Sequence, residues 1–157
     1  MCIFNKKRGR KVKILVDADA CPVKKIIVKI AIEFKLDVIM FIDTSHVYED
    51  GYSTVITVDQ ARDSVDLALI NKTEKGDIVV TQDYGVATMA LSKKAYSINQ
   101  NGLIFDNDNI DNLLYSRYLN AKHMKSGGRV KGPQKRKKED DEKFEIALRK
   151  LYNIALG

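Results

Sequence analysis

Cysteine and histidine each occur only twice in these 157 residues, and no apolar stretch approaches the length of a membrane span. Cys2 and Cys21 have no metal-like spacing and are too few for a disulfide scaffold. With two histidines, His46 and His123, a His-rich metal site is excluded. Lys29 and Glu33 interrupt the longest apolar candidate, and the patch at 38–42 falls far short of the roughly 18 residues a span needs. The opening "MCIFNKKRGRK" is basic but has no apolar region behind it, so no secretory signal is expected. These absences lead to the expectation of a protein of the reducing cytoplasm without a membrane partner.

What is present is a division of charge. The net charge is +6, but residues 1–13 carry six basic and no acidic side chains, and 117–138 carry nine basic and none acidic. The intervening 14–116 carry nine basic and sixteen acidic. An acidic body is thus flanked by basic segments. Such blocks are commonly solvated tails, and the functional reading is a grip on a polyanion, because phosphates attract Lys and Arg and release counterions when bound.

Periodicity gives the fold class. Short strands, apolar on both faces, are expected at 12–17, 37–42, 54–58, 77–81 and 96–98, and helical spacing at 22–35, 62–73, 86–93, 109–125 and 142–156. Pro22 suits a first helical turn, and Gly76 is placed to stop a helix. Strands apolar on both faces and alternating with helices indicate an α/β fold with helices covering a parallel sheet. In such sheets ligands bind beyond the carboxyl ends of the strands where strand order reverses. The chain divides into a basic N-terminal segment (1–12), an α/β domain (13–120) and a C-terminal extension of basic loop and helix (121–157).

Acidic residues gather where that rule points. In "KILVDADACPVKK" the first strand runs into Asp17 and Asp19; Asp63 and Asp66 share a face near a helix start; Asp83 follows the fourth strand in "VVTQDYG". Like charges at close range need a cation or a solvated turn. Hard divalent ions such as Mg²⁺ or Mn²⁺ take a few carboxylates plus water and phosphate oxygens. The plain alternatives are helix caps for Asp63, Asp66 and Asp83, and a packed thiol for Cys21. Tyr115 and Tyr118 interleave with Arg117 and Lys122, which permits base stacking and equally suits helix packing.

The combination of "DADACPV" at 17–23, "GDIVVTQD" at 76–83, "RYLNAK" at 117–122 and the following "GGRVKGPQK" resembles the YaiI/YqxD family of small bacterial proteins, from Lys13 onward. The resemblance implies a fold like that of PIN and NYN nuclease domains, Rossmann-like and three-layered, with an acidic metal pocket and a nuclease-like activity. On that pattern Asp17, Asp19, Asp66 and Asp83 form the pocket with Asp63 beside it. Where relatives have a "DAAD" stretch this chain has "DSVD", which keeps both acids.

The resulting expectation is a metal-dependent phosphodiesterase for RNA or another single-stranded nucleic acid, with Mg²⁺ or Mn²⁺ held by Asp17, Asp19, Asp66 and Asp83. Thr81 and Gln82 would orient water or a ligand. Arg117, Lys122, Arg129, Lys131, Lys135 and Arg136 would hold the phosphate backbone. Two alternatives stand beside it. One is a nucleic-acid-binding or regulatory protein that does not catalyse. The other is a haloacid-dehalogenase-like phosphatase, since "VDADA" resembles that opening motif, although "TQDYG" supplies only one later acid.

Overall fold

The computed structural model describes residues 11–129 and 135–157. Most of the basic N-terminal segment, Cys2, and Lys131 with its neighbours at 130–134 lie outside the described residues. The elements are β1 (Lys13–Asp17), α1 (Lys24–Phe34), β2 (Asp37–Asp43), β3 (Thr54–Val58), α2 (Ser64–Lys72), β4 (Ile78–Val80), α3 (Tyr84–Ser92), β5 (Tyr96–Ile98), β6 (Ile104–Phe105), α4 (Asn107–Lys125) and α5 (Lys138–Leu156).

The strands form one sheet in the order β3-β2-β1-β4-β5-β6. All neighbours are parallel except β5 and β6. Strand order therefore reverses between β1 and β4, as in doubly wound nucleotide-binding sheets. Along β1 the side chains alternate: Ile14 and Val16 join one core, Leu15 the other. The first core takes Ile27, Ile30 and Ala31 of α1 and Phe144, Leu148 and Leu151 of α5. The second takes Leu69 and Ile70 of α2 and Val86 and Ala90 of α3. Helices thus cover both faces of the sheet, and the three-layer α/β architecture expected from the strand pattern holds. A third cluster, Ala87, Phe105 and Ile110, seats the start of α4 against α3 and β6.

The C-terminal helix is an integral layer. Phe34 of α1 stacks on Tyr152 with ring centroids 4.4 Å apart, and Arg149 pairs with Glu33 and Glu145. At its other end α5 crosses the β5–β6 turn so closely that a Cβ on Gly102, at φ +88°, would stand 2.7 Å from the Lys143 carbonyl oxygen. Only glycine meets both demands there.

Several boundaries differ from expectation for identifiable reasons. Helix α3 begins at Tyr84, not 86, because Asp83 caps it; α5 begins at Lys138, where Glu139, Asp140 and Asp141 favour the positive helix end. Strand β2 runs on to Asp43, past 42. The two-residue β6 was not anticipated; it is too short to show a period.

At the amino edge of the switch point, β1 and β4 are clasped by charge. Lys13 Nζ donates to Asp77 Oδ2 at 2.6 Å, and the Glu74 amide donates to the same oxygen at 2.8 Å; the Asp77 side chain is fully buried. Removing one member of a buried pair costs up to about 3–5 kcal/mol, and Asp77 would still keep the Glu74 amide. Lys13→Met should therefore destabilise the fold by about 3 kcal/mol in urea unfolding, and a second change, Asp77→Leu, should recover much of it. A loss below about 1 kcal/mol for the single variant would show that water reaches the pair.

Candidate functional site

The opposite, carboxyl edge of the same strand pair carries the acids. Val16 of β1 lies level with Val80 of β4, so the chain delivers Asp17 and Thr81 side by side. Thr81, buried, donates from Oγ1 to Asp17 Oδ2 at 3.3 Å and accepts from the Asp83 amide at 3.0 Å. One hydroxyl thereby fixes both acidic segments. Asp17 has the parity of Leu15, which turns it toward the α2 and α3 layer. There it meets Asp66, in the first turn of α2, and Asp83.

Burial first, then the Asp66 carboxylate, with Asp19 and Asp83 adding less, push the Asp17 carboxyl up to about 6, against the pull of the Thr81 hydroxyl. Burial, Asp83 and Asp63 raise Asp66 as well. Asp83 also performs the capping role: its Oδ1 accepts from the Gly85 and Val86 amides at 2.7 and 3.2 Å. Oδ2 takes no hydrogen bond among the described residues, so capping and facing the pocket coexist. Asp63 is different. It occupies the N-cap position of α2 at φ 63° without a capping bond and stands exposed beside Arg62.

Asp19 sits at the edge of this group, in a turn closed by the Cys21 amide donating to the Ala18 carbonyl at 3.2 Å. The third residue of that turn, Ala20, lies at φ 58°, a position glycine usually takes. Asp19 Oδ2 accepts from the Asp43 amide at 3.2 Å. Its Oδ1 is buried and 3.0 Å from His46 Nδ1, but the ring is not aligned to donate to it. Instead His46 Nδ1 is hydrogen-bonded to Asp43 Oδ1 at 3.1 Å, and the Ser45 hydroxyl and amide hold the Asp43 carboxyl below its usual range. Asp19, Asp43 and His46 bring one potential ligand atom each within 4.8 Å of one another, the group among the described residues that stands this close. Asp43 and His46 were not singled out in the sequence, although "DTSH" follows a strand as "DAD" does.

The basic residues divide. Arg117 of α4 lines a cleft of about 500 Å³ that also borders Asp17 and Asp83. Lys122, Arg129 and Lys135 are exposed. Arg136 is occupied: its guanidinium donates to Asp141 Oδ1, Asn101 Oδ1 and the Gln100 carbonyl at 2.8–2.9 Å, docking α5 on the β5–β6 turn. Tyr115 and Tyr118 stack on each other at 6.4 Å and stay exposed, so helix packing does not explain them. The Cys21 thiol is pushed up by burial, which opposes a thiolate nucleophile. Gln82 is exposed on the same cleft as Arg117.

Two stability changes follow from this geometry. Relief of the left-handed strain at residue 20, less the entropy glycine adds to the unfolded chain, should make Ala20→Gly more stable by about 0.5–1 kcal/mol. Destabilisation would mean that the Ala20 methyl packs usefully. Because the Asp17 pKa rises from about 4 to about 6 on folding, the folded chain keeps a proton there that the unfolded chain has lost. Stability contributed below pH 4 therefore disappears as pH climbs to about 6, on the order of 2–3 kcal/mol. In chelator, Asp17→Asn should gain most of this in urea unfolding at pH 7 and almost nothing at pH 3.5, whereas equal gains at both would remove charge as the cause.

Residues 15–153 match the family model described as "Uncharacterized BCR, YaiI/YqxD family". Among similar proteins, a UPF0178 protein of Ruminiclostridium cellulolyticum is 62% identical over 136 residues, covering 87% of this chain and 89% of the relative. A UPF0178 protein of Clostridium kluyveri is 50% identical over 139 residues, covering 88% and 91%. No solved structure matches. With the family model spanning the sheet, the acidic edge and most of α5, the chain belongs to the YaiI/YqxD family.

Proposed function

We propose that this protein is a metal-dependent phosphodiesterase acting on RNA or another single-stranded nucleic acid. The observation that carries the reading is the convergence of Asp17, Asp66 and Asp83, from β1, α2 and the start of α3, at the sheet's switch point, where burial first and the neighbouring acids after it lift Asp17 to about 6. A group of acids that repel one another in a partly buried edge is stabilised by a cation.

The donor set fits a hard divalent ion. It is all oxygen, with Thr81 supporting Asp17 and one Asp83 oxygen uncommitted. The three carboxylates do not all lie within 4.8 Å of one another, so as they stand they could share a Mg²⁺ or Mn²⁺ ion only in part through its waters, as these ions permit when bound through one or two carboxylates. Asp17, Asp66 and Asp83 would hold the ion, with Asp19 adjoining. When bound, the ion supplies a more acidic water and a counter-charge for the cleaved phosphate. The chain's own contribution is to fix the carboxylates on rigid strand and helix ends, to present the exposed Gln82 beside them, and to offer cations for the phosphate backbone. Arg117 lines the same cleft as Asp17 and Asp83; Lys122 and Arg129 stand further along and beyond α4.

Binding only to the folded chain stabilises it by about 2.7 kcal/mol at a hundred times Kd. Mn²⁺ or Mg²⁺ should therefore raise the melting temperature well beyond Na⁺ at equal ionic strength, which only screens. Calorimetric titration with Mn²⁺ should give at least tenfold weaker binding for Asp17→Asn and for Asp83→Asn. Hydrolysis of single-stranded RNA should fall in the same variants. Equal melting shifts from Na⁺ and Mn²⁺, with both variants behaving as wild type, would defeat the metal reading.

A further inference from the structure

The cleft beside the acids has a second wall. Leu113, Ser116, Arg117 and Asn120 fall at i, i+3, i+4 and i+7 on α4 and so present one face. Gln82, Asp83 and Tyr84, from the end of β4 and the start of α3, and Asp17 line the rest of the cleft. The volume of about 500 Å³ lies within the roughly 300–1,000 Å³ of sites that take a small organic ligand. A base pair with both its backbones is too large for it.

Its polar side chains are uncommitted. Some comparable groups elsewhere in the fold are spent: Asn109 closes a capping box, Asn99 holds the β5–β6 turn and Arg136 serves three acceptors. In the cleft, the side chains of Gln82, Ser116, Arg117 and Asn120 make no hydrogen bond or ion pair among the described residues. Arg117 is thus an unpaired guanidinium facing a site whose other end is carboxylate. An anion lying between them, touching Arg117 directly and the acids through a cation, satisfies both ends. The apolar part of the wall is firm. The Tyr84 ring meets Phe105 edge-on at 5.8 Å, and Leu113 packs in the same small cluster.

We infer that this cleft seats one unpaired nucleotide, its phosphate on Arg117 beside the acids, its base or sugar against Tyr84 and Leu113, and its polar edges read by Gln82, Ser116 and Asn120. Phosphate, aromatic surface and amide edges are the three chemistries by which a single nucleotide is held. The inference rests on the phosphodiesterase reading for the identity of the ligand. It adds that the substrate strand must be unpaired where it crosses α4.

Amide shifts in the ¹⁵N-labelled full chain test this without turnover. Titrated in Mg²⁺ with a nucleoside 5′-monophosphate, Gln82, Tyr84, Ser116, Arg117 and Asn120 should move, and inorganic phosphate should move Arg117 with much less effect on Tyr84. Arg117→Ala should weaken nucleotide binding about tenfold or more, the cost of a lost charge-assisted bond, and Asn120→Ala by a few-fold. Both changes are at exposed positions. A ten-nucleotide single strand should bind at least tenfold tighter than the same sequence as a duplex. Shifts confined to other basic residues, wild-type affinity in both variants, or equal binding of duplex and single strand would each overturn the seat. Hydrolysis with Mn²⁺ is scored separately. Nucleotide binding in the cleft without hydrolysis supports the seat while defeating the catalytic reading; hydrolysis with KM unchanged in both variants keeps catalysis and overturns the seat.

Discussion

The parallel pairing of β1 with β4 is the constraint on which the rest of the molecule depends. It sets the reversal of strand order, and it has a different electrostatic character at each end. At the amino end a buried Lys13–Asp77 pair compensates its charges internally. At the carboxyl end Asp17 and its neighbours are left uncompensated, so that the cluster costs stability in the folded chain. A slip of one residue would exchange the faces of β1, sending Leu15 and Asp17 toward α1 and α5 and Ile14 and Val16 toward α2 and α3. The matched pairs Ile14↔Ile78 and Val16↔Val80, with charge locked below and a shared hydroxyl above, oppose that slip.

Much of this was legible in the sequence because burial on both faces leaves an unbroken apolar signature. "KILV" and "DIVV" read as interior strands, and each is followed within three residues by an aspartate. The helices were legible in type and less so at their ends, since Asp83 starts α3 through a capping bond that hydrophobic spacing does not encode. The grouping of Asp19 with Asp43 and His46 was not legible. It depends on β2 running to Asp43, two residues past Phe41, which lies opposite the end of β1 at Asp17, and on a turn whose positive φ falls on an alanine. Whether α5 packed on the body was open as well. Its amphipathic spacing required a partner without naming one, and the partner is the face of β1, β4 and α1.

Charge composition, taken alone, overstates the basic surface. Arg136 and Arg149 count toward the net charge but are committed to Asp141, Glu33 and Glu145, where their work is to attach α5. Lys13 is likewise spent. Exposed cations stand on α4 and just beyond it, at Arg117, Lys122, Lys125 and Arg129, and also on or beside other elements, at Lys25, Lys35, Lys72, Lys94 and Lys150, so the α4 run is one part of a dispersed positive surface.

Helix α4 itself is unevenly held. Its first turns are fixed by the Asp106–Asn109 capping box and by Ile110, Leu113 and Leu114 in the cluster with Phe105. From Tyr115 onward every helical residue is exposed. The wall of the cleft that carries Asp17 and Asp83 therefore belongs to the sheet and the capped start of α3, whereas the wall that carries Arg117 and Asn120 belongs to a helix with few buried contacts at that point. Elements with little burial open locally at low cost. The acidic wall is thus the more firmly held. On the proposed reading the cationic wall, which would have only to follow a phosphate, is the one free to adjust, and that division would let a strand be gripped without disturbing the carboxylates.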